Sequence, residues 1–414
     1  MTIATAQSTG QEAAREPKAS RGASRGGQPR AVWAVAFACV IAFMGIGLVD
    51  PILPAISASL GATPAQSMLL FTSYLVITSI TMFFSSFTAT RIGAKNTLML
   101  GIALIIVFAT LAGFSSTIGQ VIGFRAGWGL GNALFISTAL STIVGAAAGG
   151  ARKAIILYEA ALGIGIATGP VLGGILGDIS WRGPFFGTAA LLSVGLIAIL
   201  AVLPKQHQQV EKTSLSAPFV ALTHPGIAIT CVVAVLYNFG FFTLLAYAPF
   251  PLDEAAREAG MTTFGAHELG AIFFGWGVLL AITSVVVAPR LTHAIGHVRV
   301  IAVSLVALAM FFCAMAAAVH NVWALAALVV VAGAFFGVMN TVMTELVMEV
   351  SDVPRPVASS TYSGIRFLGG AVSPVVAGTL SGGQPFMVAA ACVLAGAIIV
   401  AAARRRLVVL EHAA

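Results

Sequence analysis

Apolar runs of about twenty residues recur along the chain, and they constrain its fold more than any other feature. A helix of about twenty residues crosses a bilayer core of roughly 30 Å. Only 8% of the residues are charged, whereas a soluble domain carries about a quarter. We predict an all-α membrane protein with twelve transmembrane helices, at 32–56, 67–89, 96–114, 118–146, 153–177, 184–203, 226–250, 268–290, 298–318, 322–348, 357–380 and 386–403.

The basic residues predict how these helices are oriented, because cytoplasmic loops are enriched in Lys and Arg. If both termini are cytoplasmic, the outer loops hold only Arg182 and Arg257, while Arg125 and Arg366 lie within spans. All other Lys and Arg then lie on the cytoplasmic side. The net charge of +7 therefore follows from topology, and nucleic-acid binding is not indicated. We expect a multi-pass protein of the inner cell membrane.

Polar segments divide the chain into two groups of six helices. Residues 1–31 are rich in Ala, Gly, Ser, Arg and Gln and predict a disordered cytoplasmic tail. A polar cytoplasmic linker at 204–225 separates an N-terminal six-helix bundle at 32–203 from a C-terminal bundle at 226–406, and a short cytoplasmic tail follows at 407–414. The four cysteines lie within spans, so neither a disulfide framework nor a metal site is indicated.

The two groups repeat each other in sequence. A shift of 203 residues carries Ile92-Gly93 onto Ile295-Gly296, each between the second and third spans of its half. A shift of 204 residues matches four positions of the fifth and eleventh spans: Tyr158 with Tyr362, Gly165 with Gly369, Pro170 with Pro374 and Gly174 with Gly378. Such matches favour two duplicated, pseudo-symmetric bundles with a cleft at their interface near the midplane.

The fifth span contains a run of small residues and one proline, Gly165-x3-Gly169-Pro170-x2-Gly173-Gly174. Small residues at i, i+4 and i+8 let another backbone approach closely, and the proline removes a helix hydrogen bond. This pattern predicts a tightly packed and bent helix.

Three further motifs accompany the glycine–proline run Gly165 to Gly174. They are Arg125-Ala-Gly-Trp-Gly-Leu-Gly131, Gly47-x3-Pro51-x2-Pro54 and Trp181-Arg182-x2-Phe185. These four motifs resemble those of the major facilitator superfamily, and specifically of its twelve-span drug:proton antiporter group. The resemblance covers roughly residues 32–406. It implies two six-helix bundles that transport by alternating access, with the glycine–proline run as the antiporter motif.

The loop between spans two and three is a degenerate form of the superfamily signature, Ser86-x3-Thr90-Arg91-x-Gly93-x-Lys95. Ser86 stands where the family has Gly, and Thr90 where it has Asp. The resemblance implies a conformational role for Arg91, Gly93 and Lys95. The family's charge-based lock is weakened here, because Thr90 offers only hydrogen bonds.

Three charged residues within spans are candidates for proton coupling, namely Asp50, Arg125 and Glu159. Burying an ionised side chain at the bilayer centre costs about 2.5–3.5 kcal/mol on insertion scales, so such groups usually face a cavity. The family resemblance implies that Arg125 takes part in proton transfer. Each of the three residues has a structural alternative. Asp50 is solvated at the outer helix end or caps the turn broken by Pro51, Glu159 forms an ion pair with Arg125 or Lys153, and Arg125 bonds to helix-end carbonyls.

Amide, aromatic and charged side chains within the spans are candidates for substrate contacts, because apolar walls with few polar anchors bind amphipathic molecules. These candidates are Asn132, Tyr158, Asn238, Phe241, Asn340, Tyr362 and Arg366. The aromatic residues have an alternative role in packing, and the amides in interhelical hydrogen bonds. Arg366 either binds an anionic or zwitterionic substrate group or neutralises Glu345 or Glu349.

These patterns favour a proton-coupled exporter of drugs or other amphipathic small molecules, acting as a monomer. No nucleotide-binding loop, zinc-protease motif or enzyme signature is present, so we expect no cofactor, and energy must come from an ion gradient. One alternative is a proton-coupled carrier of a specific metabolite, such as a siderophore or sugar. A more distant alternative is a membrane sensor that transports nothing.

Overall fold

The structure of the protein is a computed structural model that describes residues 28–146, 150–203, 214–350 and 353–413. The helices of the N-terminal half are α1 (Arg30–Gly47), α2 (Leu53–Leu60), α3 (Pro64–Ile92), α4 (Ala94–Gly113), α5 (Ile118–Ala146), α6 (Gly150–Ile179) and α7 (Gly183–Val202), and a short helix, α8 (Ala217–Ala221), follows. Those of the C-terminal half are α9 (Pro225–Tyr247), α10 (Pro249–Glu258), α11 (Ala266–Ile282), α12 (Ala288–Ile295), α13 (His297–Ala317), α14 (Val322–Glu349), α15 (Arg355–Gly378) and α16 (Gln384–Ala413).

Eleven helices in the described part of the chain are long and apolar enough to cross a membrane. Helix α15 is 24 residues long but more polar, because it carries Ser359, Ser363 and Arg366. It completes the second half in the position that α6 has in the first. Helix α6 packs on α1 and α11, and α15 packs on α9 and α3. The predicted architecture of two six-helix bundles is confirmed.

Two spans are less regular than predicted. The first ends as an α-helix at Gly47 and continues as a 3-10 turn at Asp50–Ile52 and then α2, because Pro51 and Pro54 have no N–H to donate to the preceding turn. The eighth contains a π-helical turn at Thr283–Val287, where the hydroxyl of Thr283 donates to the carbonyl of Ala334 on α14 at 2.8 Å. A side-chain bond of this kind stabilises an irregular turn inside a span.

The face of α6 formed by Gly165, Gly169 and Gly173 packs directly on the backbone of α1. A Cβ atom on Gly169 would lie 2.6 Å from the carbonyl oxygen of Met44. Gly165 packs in the same way against the carbonyl oxygen of Val40, and Gly173 against that of Leu48, the residue that follows α1. Pro170 lies within α6 without ending it. The close approach expected from the spacing is therefore present.

The same contact is repeated in the C-terminal half. Gly369 on α15 packs against the carbonyl oxygen of Val235 on α9, as Gly165 does on α1. At the position equivalent to Gly169, the hydroxyl of Ser373 lies 2.8 Å from that of Thr243 on α9 and shares a hydrogen bond with it. The second half thus replaces one of the backbone contacts by a polar side-chain contact.

Small residues also form the contact between α6 and α11, which joins the two halves. A Cβ atom on Gly163 would lie 2.7 Å from the Cβ of Ala281, and one on Gly174 would lie 2.8 Å from the carbonyl oxygen of Ala266. Asp178 and His267 lie 3.9 Å apart at the same end as Gly174. The two helices are therefore in close contact from the middle of the molecule to this end.

The second contact between the halves joins α3 and α15. Gly378 packs against Ala65, the counterpart of Gly174 against Ala266. The hydroxyl of Thr72 donates to the carbonyl of Ala371 at 3.1 Å, and that of Ser79 donates to the carbonyl of Gly364 at 2.7 Å. We call the end of the molecule at which α1 begins the inner end, and the end with Gly174 and Gly378 the outer end. The outer end is closed by both contacts.

The repeated loops after α3 and after α12 have the same backbone conformation. Gly93 has φ 86° and ψ 151°, and Gly296 has φ 80° and ψ 155°. Positive φ favours glycine, which accounts for its recurrence. Beside the first loop, Lys95 donates to the carbonyl of Leu203 at the end of α7, and the guanidinium of Arg91 lies 4.8 Å from the ring centroid of Phe87. Both contacts stay within the N-terminal half.

The short helix α8 bridges the halves at the inner end. The ring of Phe219 stacks on Phe83 of α3 at a centroid distance of 5.5 Å, and the hydroxyl of Thr361 on α15 donates to the carbonyl of Pro218 at 3.5 Å. Residues 1–27 of the predicted tail and 204–213 of the linker lie outside the described residues. The predicted tail at 407–414 continues α16 up to Ala413. The domain boundaries stay predictions.

Replacing Gly169 by Ala should destabilise the protein, because the new methyl group overlaps the backbone of α1 and overpacking costs about 1–3 kcal/mol. Gly123→Ala is the matched control, since a Cβ there meets nothing within 4 Å. Alanine is also the better helix former. We expect thermal unfolding of the purified protein at a lower temperature for G169A and at an unchanged or higher temperature for G123A. Equal unfolding temperatures would contradict the packing described for α6.

Candidate functional site

A cleft lies between the two halves towards the inner end. Its empty space is about 480 Å³, including the open mouth. The lining side chains come from α1, the last turns of α5 and α14, and the first half of α6 and α15. They are Phe43, Ile136, Ser137, Leu140, Tyr158, Glu159, Leu162, Thr344, Ser359, Tyr362, Ser363, Arg366 and Phe367. Because the outer end is closed and the cleft lies towards the inner end, the cleft is accessible from the inner end.

Glu159 and Arg366 line this cleft from opposite halves. Glu159 has only 5% of its surface exposed, and its Oε2 has no hydrogen-bond partner among the described residues. The Nε atom of Arg366 is likewise without a partner in the described part of the chain. The two groups are close enough to interact electrostatically, yet they form no ion pair within 4.0 Å among the described residues. The cleft thus holds two opposite charges that are not in direct contact.

A second cleft continues from the first towards the middle of the molecule, with about 350 Å³ of empty space including its mouth. It shares four side chains with the first and adds apolar, aromatic and amide groups: Phe43, Leu162, Arg366 and Phe367 are shared, and Ile46, Ile166, Asn238, Phe241, Phe242 and Asn340 are added. The two clefts therefore form one path that is charged at its inner part and mainly apolar at its deeper part.

Aromatic rings shape the charged part of this path. The rings of Phe43 and Tyr158 meet edge to face with centroids 5.5 Å apart. The guanidinium carbon of Arg366 lies 5.7 Å from the ring centroid of Tyr362 and 5.2 Å from that of Phe367. Cation–π contact of this kind holds a guanidinium in place without neutralising it. Tyr158 and Tyr362, which the internal repeat matches, both line this cleft.

The two predicted amides of the deeper cleft already have partners. The hydroxyl of Tyr237 on α9 donates to Oδ1 of Asn340 on α14 at 2.7 Å, which is the interhelical hydrogen bond considered as its alternative. The amide nitrogen of Asn238 donates to the carbonyl of Ala234 in its own helix at 3.2 Å. Phe241 packs edge to face on Phe336 with centroids 5.1 Å apart. These residues line the cleft and also hold α9 and α14 together.

Arg125 lies in the interior of the N-terminal half and does not line either cleft. Its side chain is fully buried, and Nη1 donates to the carbonyl of Gly45 on α1 at 3.4 Å. Its guanidinium carbon is 4.6 Å from the ring centroid of Tyr74 and 4.5 Å from that of Trp128. The charged group that interacts with Glu159 across the cleft is Arg366, and neither Arg125 nor Lys153 forms an ion pair with Glu159 among the described residues.

Asn132 lines neither of the two clefts, and the side chain of Asp50 cannot be assigned to either. Asn132 is fully buried on α5, and neither atom of its amide has a hydrogen-bond partner within the described residues. It lies two turns after Arg125, on the same helix. Asp50 begins the 3-10 turn after α1, but its side chain is outside the described part of the structure. Their proposed roles stay predictions.

The hydroxyl groups of the cleft and His297, the first residue of α13, were not predicted from the sequence. Ser359 and Ser363 precede Arg366 by about two turns and one turn of α15, so a helical projection from Arg366 would have identified them. His297 Nε2 lies 3.3 Å from Glu345 and its Nδ1 lies 3.7 Å from Glu349. Among the described residues both glutamates contact His297, and neither forms an ion pair with Arg366. Within the described residues, no cluster of His, Cys, Asp and Glu could hold a metal ion.

The sequence profile of the Major Facilitator Superfamily matches residues 35–265 and 255–412. The chain belongs to the major facilitator superfamily. It is therefore a multi-pass membrane transporter, and superfamily members are secondary transporters of small molecules. The resemblance noted from the motifs is confirmed.

Individual relatives agree with this assignment. The chain is 54% identical over 354 residues to "Multidrug efflux protein YfmO" of Bacillus subtilis (strain 168), covering 86% of this chain and 87% of the relative. It is 23% identical over 344 residues to "Multidrug resistance protein 1" of the same organism, covering 82% and 87%.

Two solved structures share the fold at low sequence identity. A D-xylose-proton symporter superimposes with a TM-score of 0.73 at 12% identity, covering 89% of this chain and 96% of its own. The human organic anion transporter MFSD10 (TETRAN) superimposes with a TM-score of 0.65 at 17% identity, covering 90% and 99%. At these identities the likeness supports the architecture alone.

A cysteine at position 359 should react rapidly with a charged maleimide, because Ser359 lines the open cleft. Ser373→Cys is the control, since Ser373 is fully buried against α9 and buried thiols are inert. Both substitutions would be made after replacing the four native cysteines, and labelling rates measured on purified protein. We expect at least about tenfold faster labelling at 359. Similar rates at both positions would show that the cleft is not open as described.

Proposed function

We propose that the protein exports drugs or other amphipathic small molecules in exchange for protons, by alternating access between its two halves. The observation that carries this proposal is a buried carboxylate, Glu159, in a cleft between the halves that is open at one end and closed at the other. The names of the two bacterial relatives, one a multidrug efflux protein and the other a multidrug resistance protein, support the same substrate range.

The inner end would face the cytoplasm. Lys95, Arg290 and Arg299 lie in loops or helix ends there, and an excess of basic residues marks the cytoplasmic side. Both termini would then be cytoplasmic, and the protein would reside as a monomer in the cytoplasmic (inner) membrane. In this orientation the structure corresponds to the state that takes up substrate from the cell interior.

Glu159 would couple transport to proton movement by binding either a proton or a cationic substrate group. From the cytoplasm the ionised carboxylate attracts the substrate, and after the halves rearrange, a proton from outside neutralises it and releases the substrate. Proton return down a potential of 100 mV supplies about 2.3 kcal/mol per charge. Arg125, held between α1, α3 and α5, would tune this step together with Asp50, as the family resemblance implies.

A second candidate function is a proton-coupled carrier of one specific metabolite. The observation that favours it is Arg366, because a guanidinium in the cleft suits a fixed anionic group better than a wide range of lipophilic cations. Competition between unrelated substrates separates the two functions. Mutual competition among drugs of different shape supports the exporter, and a narrow profile supports the metabolite carrier.

Everted membrane vesicles with an imposed pH gradient provide the direct test of antiport. Adding tetraphenylphosphonium or a neutral drug should cause proton release that is abolished by Glu159→Gln and retained by Glu254→Gln, which removes an exposed carboxylate outside the cleft. Asp50→Asn, at matched expression, tests the second predicted coupling residue. Transport that continues unchanged without the proton gradient would falsify the antiport proposal.

A further inference from the structure

The cleft presents two charged groups of opposite sign from opposite halves of the molecule. Glu159 is on α6, and Arg366 is on α15. Each has a polar atom without a partner in the described residues, and the two do not form a direct ion pair there. A buried polar group without a partner is unfavourable, so a molecule that bonds to both groups in the cleft would be stabilised there.

We propose that the preferred substrates are amphipathic zwitterions, which carry one cationic and one anionic group on an apolar body. This inference rests on the proposed function and specifies its substrate class. The substrate cation pairs with Glu159, and the substrate carboxylate pairs with the guanidinium of Arg366. Arg366 is suited to this role because its planar fork matches a carboxylate.

Charge balance distinguishes a zwitterion from singly charged molecules. A cation pairs with Glu159 but leaves Arg366 without an anionic partner and is repelled by it. An anion pairs with Arg366 but is repelled by Glu159. Glu345 on α14, which contacts His297, also interacts electrostatically with Glu159 and adds to the negative potential that an anion meets there. A zwitterion adds no net charge to the cleft and pairs with both groups.

The surrounding residues set how such a molecule lies in the cleft. The deeper cleft, which shares Arg366 and Phe367 with the first, is lined mainly by apolar and aromatic side chains, including Phe241 and Phe242. The apolar body therefore extends towards the middle of the molecule, and the charged groups stay at Glu159 and Arg366. Ser363, one turn from Arg366 on α15, offers a further hydroxyl to the substrate carboxylate.

Binding of three matched fluorescent probes tests this assignment without relying on transport. Nα-dansyl-lysine is zwitterionic at pH 7, its methyl ester carries only the ammonium, and Nα-dansyl-Nε-acetyl-lysine carries only the carboxylate. Affinities would be measured by dansyl fluorescence with purified full-length protein in detergent, corrected with protein-free micelles. We expect the zwitterion to bind about tenfold or more tightly than either analogue.

Substitutions then test which protein side chain recognises each charge of the probe. Arg366→Gln should remove the preference for the zwitterion over the ester, and Glu159→Gln should remove its preference over the acetylated probe. Arg366→Lys should restore part of the first preference, because it keeps the positive charge. Arg257→Gln and Glu254→Gln, which neutralise exposed residues outside the cleft, should leave both preferences unchanged. Gel filtration and thermal unfolding would establish that each variant is folded.

Three results would overturn the inference: an ester that binds as tightly as the zwitterion to the unsubstituted protein, a preference that survives R366Q in folded protein, or no binding of any probe. Its failure is distinguishable from failure of the antiport proposal. Proton release with tetraphenylphosphonium in a protein that binds the ester best would overturn only the substrate class. A preference for the zwitterion without substrate-induced proton release would overturn only the antiport.

Discussion

The close approach of α6 to its neighbours is the contact on which the rest of the molecule depends. Its glycine face rests on the backbone of α1, and a second set of small residues rests on α11 of the other half. In lipid, helix association gains little from apolar burial alone, so short backbone distances and the dispersion forces they allow become decisive. Tyr158 continues the first of these faces and Glu159 the second, one to two turns nearer the inner end, where both side chains line the cleft.

This arrangement explains how a charged residue is accommodated within a mainly apolar protein. Glu159 is offset electrostatically by Arg366, which reaches the same cleft from a helix that occupies the equivalent place in the other half. The two charges are thus supplied by the two pseudo-symmetric helices, one acidic and one basic. The repeat of the two halves places α6 and α15 in equivalent positions, and their sequence differences give one helix an acidic residue and the other a basic residue in the cleft.

Much of the fold was predictable from the sequence because its signals are local. Apolar length identified the spans, and the spacing of Gly165, Gly169 and Gly173 predicted a close contact that the structure contains. The repeat of Tyr158 and Tyr362 also placed two residues that line one cleft. Each of these inferences needed only the periodicity of a helix or the comparison of one half with the other.

The partners of individual charges were not predictable in this way. Helix geometry gives the direction of a side chain but not the neighbour it meets. Arg125 was a candidate partner for Glu159, yet it lies between α1, α3 and Trp128, whereas Arg366 is more than 200 residues away from Glu159 in sequence. The amide of Asn340 likewise bonds to Tyr237, a tertiary contact that no local pattern encodes.

The closed outer end has a consequence for how the molecule changes shape. There, Gly174 meets Ala266 and Gly378 meets Ala65, so the contacts are short backbone contacts with few long side chains to bridge a gap. A gap of about 0.5–1 Å already forfeits a quarter to a half of the dispersion attraction, so partial separation weakens the contact while admitting little solvent. We therefore expect the outer end to have two stable states, closed and open, separated by a steep energy barrier. Gradual opening through intermediate positions is not expected.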